Sequence, residues 1–334
     1  MAILVTGCAG FIGMHVARRL LEAGEEVVGI DNCNAYYDPA LKTARLAQLE
    51  GNGDFAFHRL DFADEAALAA ALAGTNIDRI VHLGAQAGVR YSLEAPGAYV
   101  RSNLVGHANI LELARARRVR HLVYASSSSV YGGGTTLPMT VDQRAHRPLS
   151  LYAATKRADE RMSESYAHLF DLPQTGLRFF TVYGPWGRPD MAVWLFTEAL
   201  LEGRPIRLFN GGAMKRDFTF IDDVVESVVA VLARPPAADS STKPGGSAAP
   251  HALYNIGNHR SEELGQLISH LEKATGQTAL VEPAPLQPGD MTDTFADVEP
   301  LRALIGFRPQ IGLEQGVPQF VRWYSEDYCR VVKR

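Results

Sequence analysis

The sequence of 334 residues contains few cysteines and no long apolar run. Cys8, Cys33 and Cys329 show no paired spacing, which excludes a disulfide framework or a zinc cluster and suits a reducing compartment. The longest apolar runs, at residues 66–73 and 228–233, are far shorter than the roughly 18 residues that a membrane span requires. We therefore expect no metal site and no membrane partner.

Neither sign of charge prevails, because 33 Lys and Arg residues stand against 37 Asp and Glu residues for a net charge of -4. This balance lacks the basic field that attracts nucleic acid, so no nucleic-acid partner is expected. The chain passes from Ala2 straight into a glycine-rich turn without a basic segment, and no secretory leader is expected. A hydrophobic fraction of 46% and a length suited to about two domains indicate a cytoplasmic enzyme.

Short apolar segments alternate with helix-period segments through the first half of the chain. The segments typical of strands are rich in β-branched residues and bounded by Gly, Asp or Ser: residues 2–6, 26–31, 55–60, 79–83 and 120–126. Amphipathic spacing predicts helices at residues 11–23, 64–72 and 96–117. This alternation predicts βαβ units, and hence an α/β fold with a doubly wound parallel sheet.

A glycine-rich turn, Thr6-Gly7-Cys8-Ala9-Gly10-Phe11-Ile12-Gly13, lies where the first strand passes into the first helix. Its glycines let the backbone turn tightly and approach a pyrophosphate, which then lies at the positive end of the helix. Asp31 ends the second strand, near the ~20-residue offset at which a carboxylate binds a dinucleotide's ribose. Because a carboxylate repels a 2′-phosphate, we interpret the site as one for NAD. A turn whose glycines serve only packing is the alternative.

Tyr152 and Lys156 stand four residues apart on a predicted helix, so both lie on one face. A free tyrosine titrates near pH 10, which is about three units too high for a base at neutral pH. An ammonium about 4 Å away stabilises a phenolate by roughly 4 kcal/mol at an effective dielectric near 20, which is the amount required. We interpret the two residues as an acid–base pair, with an ordinary exposed helix pair as the alternative.

Four consecutive serines, Ser126 to Ser129, directly follow the fifth predicted strand. Ligands bind at the carboxyl ends of strands in open α/β sheets, where hydroxyls can bond a sugar or a carboxylate. A polar loop is the alternative. Further along, residues 234–250 contain almost no apolar side chain and predict an exposed, mobile insertion.

These motifs together resemble those of the extended short-chain dehydrogenase/reductases, and within them the NAD-dependent nucleotide-sugar epimerases. The stretches that carry the resemblance are the glycine turn, Asp31-Asn32, Asp61-Phe62, His82 to Ala87, Asn103, the serine run and the Tyr152/Lys156 pair. Residues 178–191, RFFTVYGPWGRPDM, look like the signature of UDP-glucuronate 4-epimerases, and residues 215–218 and 287–290 resemble stretches that hold a nucleotide diphosphate. The resemblance covers nearly the whole chain.

The resemblance implies a role for each matching position. Catalysis is implied for Ser127, Tyr152 and Lys156, with Tyr152 as general base and acid. Cofactor binding is implied for Gly7, Gly10, Phe11, Ile12, Gly13, Asp31, Asn32, Asp61, Phe62, Leu83, Ala85, Ala87, Asn103, Ser126, Tyr152, Lys156 and Phe179. Substrate binding is implied for Arg90, Ser127, Ser128, Ser129, Thr181, Arg188, Arg216 and Asp290. Within that set, Arg216 is expected on a UDP phosphate and Arg188 on the sugar carboxylate.

The implied reaction is NAD-dependent 4-epimerisation of UDP-glucuronate to UDP-galacturonate through a transient 4-keto intermediate, without decarboxylation. Dehydratases of this group carry an Asp-Glu pair before Val-Tyr-Gly, and UDP-glucuronate decarboxylases a Glu, whereas this chain has Ser128 and Ser129 there. A UDP-glucose/UDP-galactose 4-epimerase is the first alternative, since a neutral hydroxymethyl group needs no Arg188. A UDP-glucuronate decarboxylase and a non-catalytic dinucleotide sensor are further alternatives, although such sensors commonly lose the Tyr/Lys pair.

The same resemblance implies a discontinuous arrangement of two domains. Residues 1–180 and about 220–257 are expected to form a Rossmann-type NAD-binding domain, with the exposed insertion at 234–250. Residues about 181–219 and 258–334 are expected to form a smaller α/β domain that binds the nucleotide sugar. A homodimer through the helices at residues 96–117 and 149–170 is also implied.

Overall fold

The computed structural model describes residues 1–143, 145, 147–287 and 289–332, with side chains as far as Cys329. Pro288, part of a predicted phosphate-binding stretch, thus lies outside the described residues. The strands are β1 (Ala2–Thr6), β2 (Val27–Asp31), β3 (Phe55–Arg59), β4 (Ile77–His82), β5 (His121–Ser127), β6 (Gln174–Phe179), β7 (Thr181–Tyr183), β8 (Ile206–Phe209), β9 (Lys215–Arg216), β10 (Phe218–Phe220), β11 (His251–Ile256), β12 (Glu262–Glu263) and β13 (Val281–Ala284). The helices are α1 (Phe11–Glu22), α2 (Pro39–Ala47), α3 (Glu65–Ala71), α4 (Tyr91–Glu94), α5 (Pro96–Tyr99), α6 (Gly106–Arg117), α7 (Leu151–Phe170), α8 (Ala192–Leu201), α9 (Ile221–Leu232), α10 (Leu264–Thr275), α11 (Glu299–Ile305) and α12 (Leu313–Trp323).

In the described part of the chain, a seven-stranded sheet forms the centre, in the order β11-β6-β5-β4-β1-β2-β3, and every pair in it is parallel. Alternate residues of β1 enter different cores. Ile3 and Val5 pack in a core that includes residues of α1 and α9, whereas Leu4 packs in a core with residues of α3 and α6. The predicted α/β fold with a doubly wound parallel sheet is confirmed.

Shorter strands lie outside the central sheet as three pairs: β7 with β10, β8 with β13, and β9 with β12. The chain leaves the sheet after β6 and returns at β11, which follows α9. Helix α9 and strand β11 lie within the segment of about 220–257 that was assigned to the NAD-binding domain, while the division into two domains stays a prediction. Within the described ranges, no helix combines the length and apolar character needed to cross a membrane.

The helix predicted at residues 96–117 is interrupted, which corrects that prediction. Residues Val100–Val105 form a wider π-type turn between α5 and α6. Asn103 in this turn points inward, is 1% exposed, and its amide donates to the Gln86 carbonyl (3.1 Å) and the Thr155 hydroxyl (2.9 Å). The wider turn therefore accommodates a buried polar contact that regular helical spacing does not reveal.

The insertion at residues 234–250 is only partly exposed, which corrects a second prediction. Residues up to 242 are mostly exposed, but Lys243 is buried and its ammonium donates to the Asp239 carboxylate at 2.7 Å. The Gly245 N–H donates to the Asp142 carboxylate at 2.9 Å, and the Leu253 N–H to the Pro244 carbonyl at 2.8 Å. The second half is thus fixed against the sheet by polar contacts that its composition did not indicate.

Several histidines are buried in the core, and burial lowers their pKa. The pKa falls to about 3 or about 4 in four of them: His15, His107, His121 and His251. An unfolded chain protonates these groups below about pH 6.5 while the folded chain keeps them neutral, so acid lowers the free energy of unfolding. Burial raises the pKa of Asp159 and of Asp217 to about 6, so these two carboxyl groups favour the folded state in acid. Their effect is opposite to that of the four histidines, which are more numerous.

We therefore predict that the free energy of unfolding falls between pH 7.5 and 5.5, and that His121→Gln reduces this fall by about 1 kcal/mol. Urea denaturation at the two pH values measures both quantities. His168→Gln is the matched control, because His168 is exposed, and it should behave as the wild type. An equal pH dependence in His121→Gln and the wild type would contradict the role of burial.

Candidate active site

A cavity opens at the carboxyl edge of the central sheet, where loops from successive strands meet. Most of the predicted site residues line it: Gly7, Gly10, Phe11, Ile12, Gly13, Asp31, Asn32, Phe62, Leu83, Ala85, Ala87, Ser126, Ser127, Ser128, Ser129, Tyr152, Lys156, Phe179, Thr181, Arg188, Arg216 and Asp290. Nowhere in the described ranges do three or more His, Cys, Asp or Glu side chains group as metal ligands. The cavity therefore presents hydroxyls, placed charges and backbone groups to a ligand.

The glycine turn after β1 leaves no room for side chains. Gly7 adopts a φ of 73°, and a Cβ on it would lie 2.7 Å from the backbone nitrogen of Gly84. A Cβ on Gly13 would lie 2.0 Å from the Gly7 carbonyl oxygen. Helix α1 begins after Gly10 with no acidic residue in its first turn, so its positive end is not neutralised from within the helix. These features fit the pyrophosphate of a dinucleotide.

Asp31 is fixed at the end of β2 by two backbone groups. Its carboxylate accepts from the Ala9 N–H at 3.2 Å and from the Cys33 N–H at 2.7 Å, and the residue is 8% exposed. The bond to Ala9 joins the carboxylate to the glycine turn. A ribose hydroxyl can therefore meet a carboxylate whose position is already set relative to the pyrophosphate site.

Tyr152 and Lys156 lie in the first turns of α7. The helix begins there because the Ser150 hydroxyl caps it, accepting from the Ala153 N–H at 3.1 Å. The Lys156 ammonium is 3% exposed and donates to the Ala125 carbonyl at 3.0 Å and to the Asp159 carboxylate at 3.0 Å. Burial raises the pKa of Asp159 to about 6, and Lys156 opposes that shift. The second oxygen of Asp159, Oδ1, has no hydrogen-bond partner within the described part of the chain.

The serines at the end of β5 have two different roles. Ser126 lines the cavity but is almost fully buried, and its hydroxyl donates to the Glu160 carboxylate at 2.7 Å. The Ser127 hydroxyl accepts from the Ser129 N–H at 3.2 Å and lies 3.2 Å from the Ser129 hydroxyl. Ser127 and Ser129 thus form a small hydroxyl cluster at the cavity wall.

Arg188 lines the cavity with one edge of its guanidinium already occupied. Its Nε donates to Asp190 Oδ1 at 3.0 Å and its Nη2 to Asp190 Oδ2 at 2.6 Å. The Tyr36 hydroxyl also donates to Asp190, at 3.0 Å. A sugar carboxylate can therefore use only the edge formed by Nη1 and the second hydrogen of Nη2, unless this bidentate pair opens.

Arg216 and Arg90 lie near the segment that carries Asp290. Arg216 lines the cavity, and its Nη1 donates to the carbonyls of Lys215 and Thr292, each at 2.9 Å. Arg90 does not line the cavity. It donates to the Asp290 carboxylate at 3.1 Å and therefore connects the loop after β4 to this later segment.

Two predicted cofactor residues also lie outside the cavity lining. Asp61 pairs with Arg101 at 3.0 Å, and its other oxygen accepts from the Ala63 N–H at 2.9 Å. The amide oxygen of Asn103 accepts from the Gln86 N–H at 2.9 Å, so this side chain fixes the loop after β4 from behind.

Two tyrosines near the site were not predicted from the sequence. Tyr36 lines the cavity, and its hydroxyl bonds the Asp190 carboxylate. Tyr99 is buried behind the lining, and its hydroxyl donates to the carbonyls of Ala87 and Gly88 at 2.8 and 2.6 Å. The Tyr99 ring lies 6.1 Å from the Tyr152 ring, centroid to centroid. Neither tyrosine has a local pattern that indicates the site, because their partners are distant in sequence.

The chain belongs to the NAD dependent epimerase/dehydratase family, whose model matches residues 3–257. It is 47% identical to a probable UDP-glucuronate 4-epimerase of Rhizobium meliloti, over 99% of this chain and 98% of that protein. The family predicted from the motifs is thereby confirmed.

Solved structures resemble the whole chain. A UDP-glucuronic acid 4-epimerase from Bacillus cereus, in complex with UDP-glucuronic acid and NAD, aligns with a TM-score of 0.85 at 33% identity, over 98% of this chain and 99% of that one. A UDP-glucose 4-epimerase of Thermotoga maritima, with UDP-glucose, aligns with a TM-score of 0.85 at 27% identity, over 98% and 99%. Sequence identity is thus higher to the uronate enzyme at equal structural likeness.

We predict that Gly13→Ala weakens NAD binding at least about tenfold, because the added methyl group displaces the Gly7 carbonyl and with it the turn. Isothermal titration calorimetry measures the affinity. Gly74→Ala is the control, since a Cβ at Gly74 meets nothing within 4 Å and should leave binding unchanged. Wild-type affinity in a folded Gly13→Ala protein would contradict this use of the turn.

Proposed function

We propose that this chain catalyses the NAD-dependent 4-epimerisation of UDP-glucuronate to UDP-galacturonate without decarboxylation. The observation that carries the proposal is one cavity that combines the Tyr152/Lys156 pair with Arg188 and the Ser127 cluster. The likeness to UDP-glucuronate 4-epimerases from Rhizobium meliloti and Bacillus cereus supports it. Ser128 and Ser129 also stand where a decarboxylase or dehydratase of this group carries acids.

The geometry fits NAD as the resident cofactor. The glycine turn and the N-terminus of α1 would hold the pyrophosphate. Asp31 would hold the adenosine ribose, because its bond to the Ala9 N–H sets its position relative to the turn. Phe62 lines the cavity and would pack against the adenine. Asp61 would have to break its ion pair with Arg101 to contact the adenine. Bound NAD supplies a reversible hydride acceptor for C4 of the sugar.

Tyr152 acts as general base and then as general acid at the sugar's 4-hydroxyl. Lys156 lines the same cavity four residues further along α7, so it would direct a positive charge toward the reacting oxygen of Tyr152. Lys156 keeps its orientation because the Ala125 carbonyl and the Asp159 carboxylate hold its ammonium. Ser127 would donate to the oxygen at C4 and orient the proton transfer.

The sugar must reverse its face within the cavity, because the 4-keto intermediate is reduced from the opposite side. Arg216, on the wall of the cavity, would hold a UDP phosphate while this happens. The lobe formed by residues about 181–219 and 258–334 would supply this anchor, as the proposed second domain. Net redox change is zero, so no external reductant is needed.

A 4-ketouronate is a β-keto acid, and it loses carbon dioxide when its carboxylate bond aligns with the carbonyl π system. Hydrogen bonds that fix a different rotamer suppress this loss. Arg188 and the Ser127 cluster would supply those bonds to the carboxylate. Asp190 in turn holds the Arg188 guanidinium in one orientation.

We predict that the purified protein converts UDP-glucuronate to a product with a galacto-configured anomeric proton signal, measured by proton NMR. Tyr152→Phe should slow this conversion by roughly 10²–10⁴-fold, as expected for a lost general acid–base group. Tyr166→Phe, on the same helix with its hydroxyl bonded to Glu112, is the control and should retain the rate. UDP-pentose as the main product, no conversion, or faster turnover of UDP-glucose would contradict the proposal.

We further propose that the chain acts as a homodimer. The interface would be formed by residues 96–117, which include α6, and residues 149–170, which include α7. Exposed apolar side chains on these segments support it: Val100 (44%), Val105 (46%), Leu169 (64%) and Phe170 (46%). Such side chains on neighbouring helices form a surface that a second copy can cover.

We predict that the wild type sediments as a dimer and that Leu169→Glu shifts it toward monomer, because a carboxylate at the interface must lose its hydration. Sedimentation velocity over a concentration series measures the change. Leu280→Glu is the control, since Leu280 is 57% exposed outside these helices and should leave the dimer intact. A monomeric wild type would contradict the proposed assembly.

A further inference from the structure

Arg45, on α2, is fully buried, and each of its five N–H donors has an acceptor. Its Nε and one Nη2 hydrogen point to the Trp186 carbonyl at 3.1 and 2.7 Å, and the other Nη2 hydrogen to the Gly187 carbonyl at 2.8 Å. Its Nη1 donates to the Ala9 carbonyl at 3.2 Å and to the Tyr37 hydroxyl at 2.6 Å. The orientation of this guanidinium is therefore fully determined.

These acceptors are all neutral, which makes the burial of Arg45 costly. No carboxylate in the described ranges lies within ion-pair distance of it, and burial lowers the pKa of its guanidinium. A well-packed apolar side chain would fill the same space without that cost. The presence of an arginine here therefore indicates that the relative positions of the backbone groups it bonds are important.

Arg45 joins the cofactor side of the cavity to the substrate side. Ala9 belongs to the glycine turn, whereas Trp186 and Gly187 directly precede Arg188. Trp186 has a φ of 64°, a left-handed conformation that costs a non-glycine residue about 1 kcal/mol or more. Two hydrogen bonds from Arg45 to the Trp186 carbonyl, together with the contact of its ring with Trp323 at 5.3 Å, hold that conformation.

We propose that Arg45 is a positioning residue that acts through Arg188 and determines how often the 4-keto intermediate loses carbon dioxide. This inference rests on the proposed function. In the side reaction the C5–C6 bond breaks, its electron pair forms the C4–C5 enolate, and C5 then takes a proton from water as carbon dioxide leaves. The remaining 4-keto pentose takes back the hydride removed from C4, so the reaction needs no outside reductant.

The test is the ratio of UDP-pentose to UDP-galacturonate formed from UDP-glucuronate, measured by liquid chromatography and mass spectrometry. This ratio does not depend on how much of a variant is folded, so a merely structural loss of stability leaves it unchanged. Arg45→Lys keeps the charge but loses the forked geometry, and should raise the ratio roughly tenfold, equivalent to ~1.4 kcal/mol. Tyr37→Phe removes one acceptor and should raise it less.

Two further variants separate Arg45 from general effects. In an Arg188→Ala background, Arg45→Lys should cause no additional rise, because both act through the same guanidinium. Arg117→Lys is the matched control, since Arg117 also donates to backbone carbonyls, those of Leu72 (2.8 Å) and Thr75 (3.3 Å), and should leave the ratio unchanged.

An unchanged ratio in Arg45→Lys and Tyr37→Phe, or an independent rise in the Arg188→Ala background, would overturn the inference while the epimerase activity stands. If the wild type forms no UDP-galacturonate, the proposed function fails and the inference fails with it. The wild-type measurement therefore distinguishes the two failures.

Discussion

The parallel direction of the central strands is the constraint on which the candidate site depends. Because all seven strands described in the sheet run the same way, the loops after them converge on one edge. The glycine turn after β1, Asp31 at the end of β2 and the serines at the end of β5 meet there without any of them being adjacent in sequence. Reversal of a single strand would remove its residues from the cavity.

Two of the cations in the cavity are placed in compensated pairs. Lys156 bonds Asp159, and Arg188 bonds Asp190 on two atoms, so cations close to the proposed sugar site already have carboxylate partners. A net charge of -4 over 334 residues gives no broad attraction for an anionic ligand. Recognition of a nucleotide sugar with two phosphate charges and one carboxylate charge would then depend on how these few pairs open or share a guanidinium edge.

Local patterns predicted the residues whose function depends on short spacing. The glycine turn and the Tyr152/Lys156 pair lie where the sequence indicated, because a strand–helix junction and one helix face fix their geometry. Helix α2, which carries Arg45, was not predicted, although Asp38 and Pro39 provide a usual helix start. The contact of Arg45 with Trp186 spans 141 positions, and no spacing rule reaches that far. Asn103 was assigned to the cofactor from the family resemblance, and its contacts with Gln86 and Thr155 could not be predicted from the sequence.

In the proposed reaction, hydrogen leaves C4 of the sugar and returns to it within one cavity, without exchange with water. The conversion of UDP-glucuronate in ²H₂O tests this, with C4 of the product examined by proton NMR. We expect the C4 proton signal to keep its full intensity, because the transferred hydrogen never exchanges with solvent. Replacement of that signal by deuterium in each turnover would show that the hydrogen at C4 passes through water, and would exclude a direct hydride transfer and return.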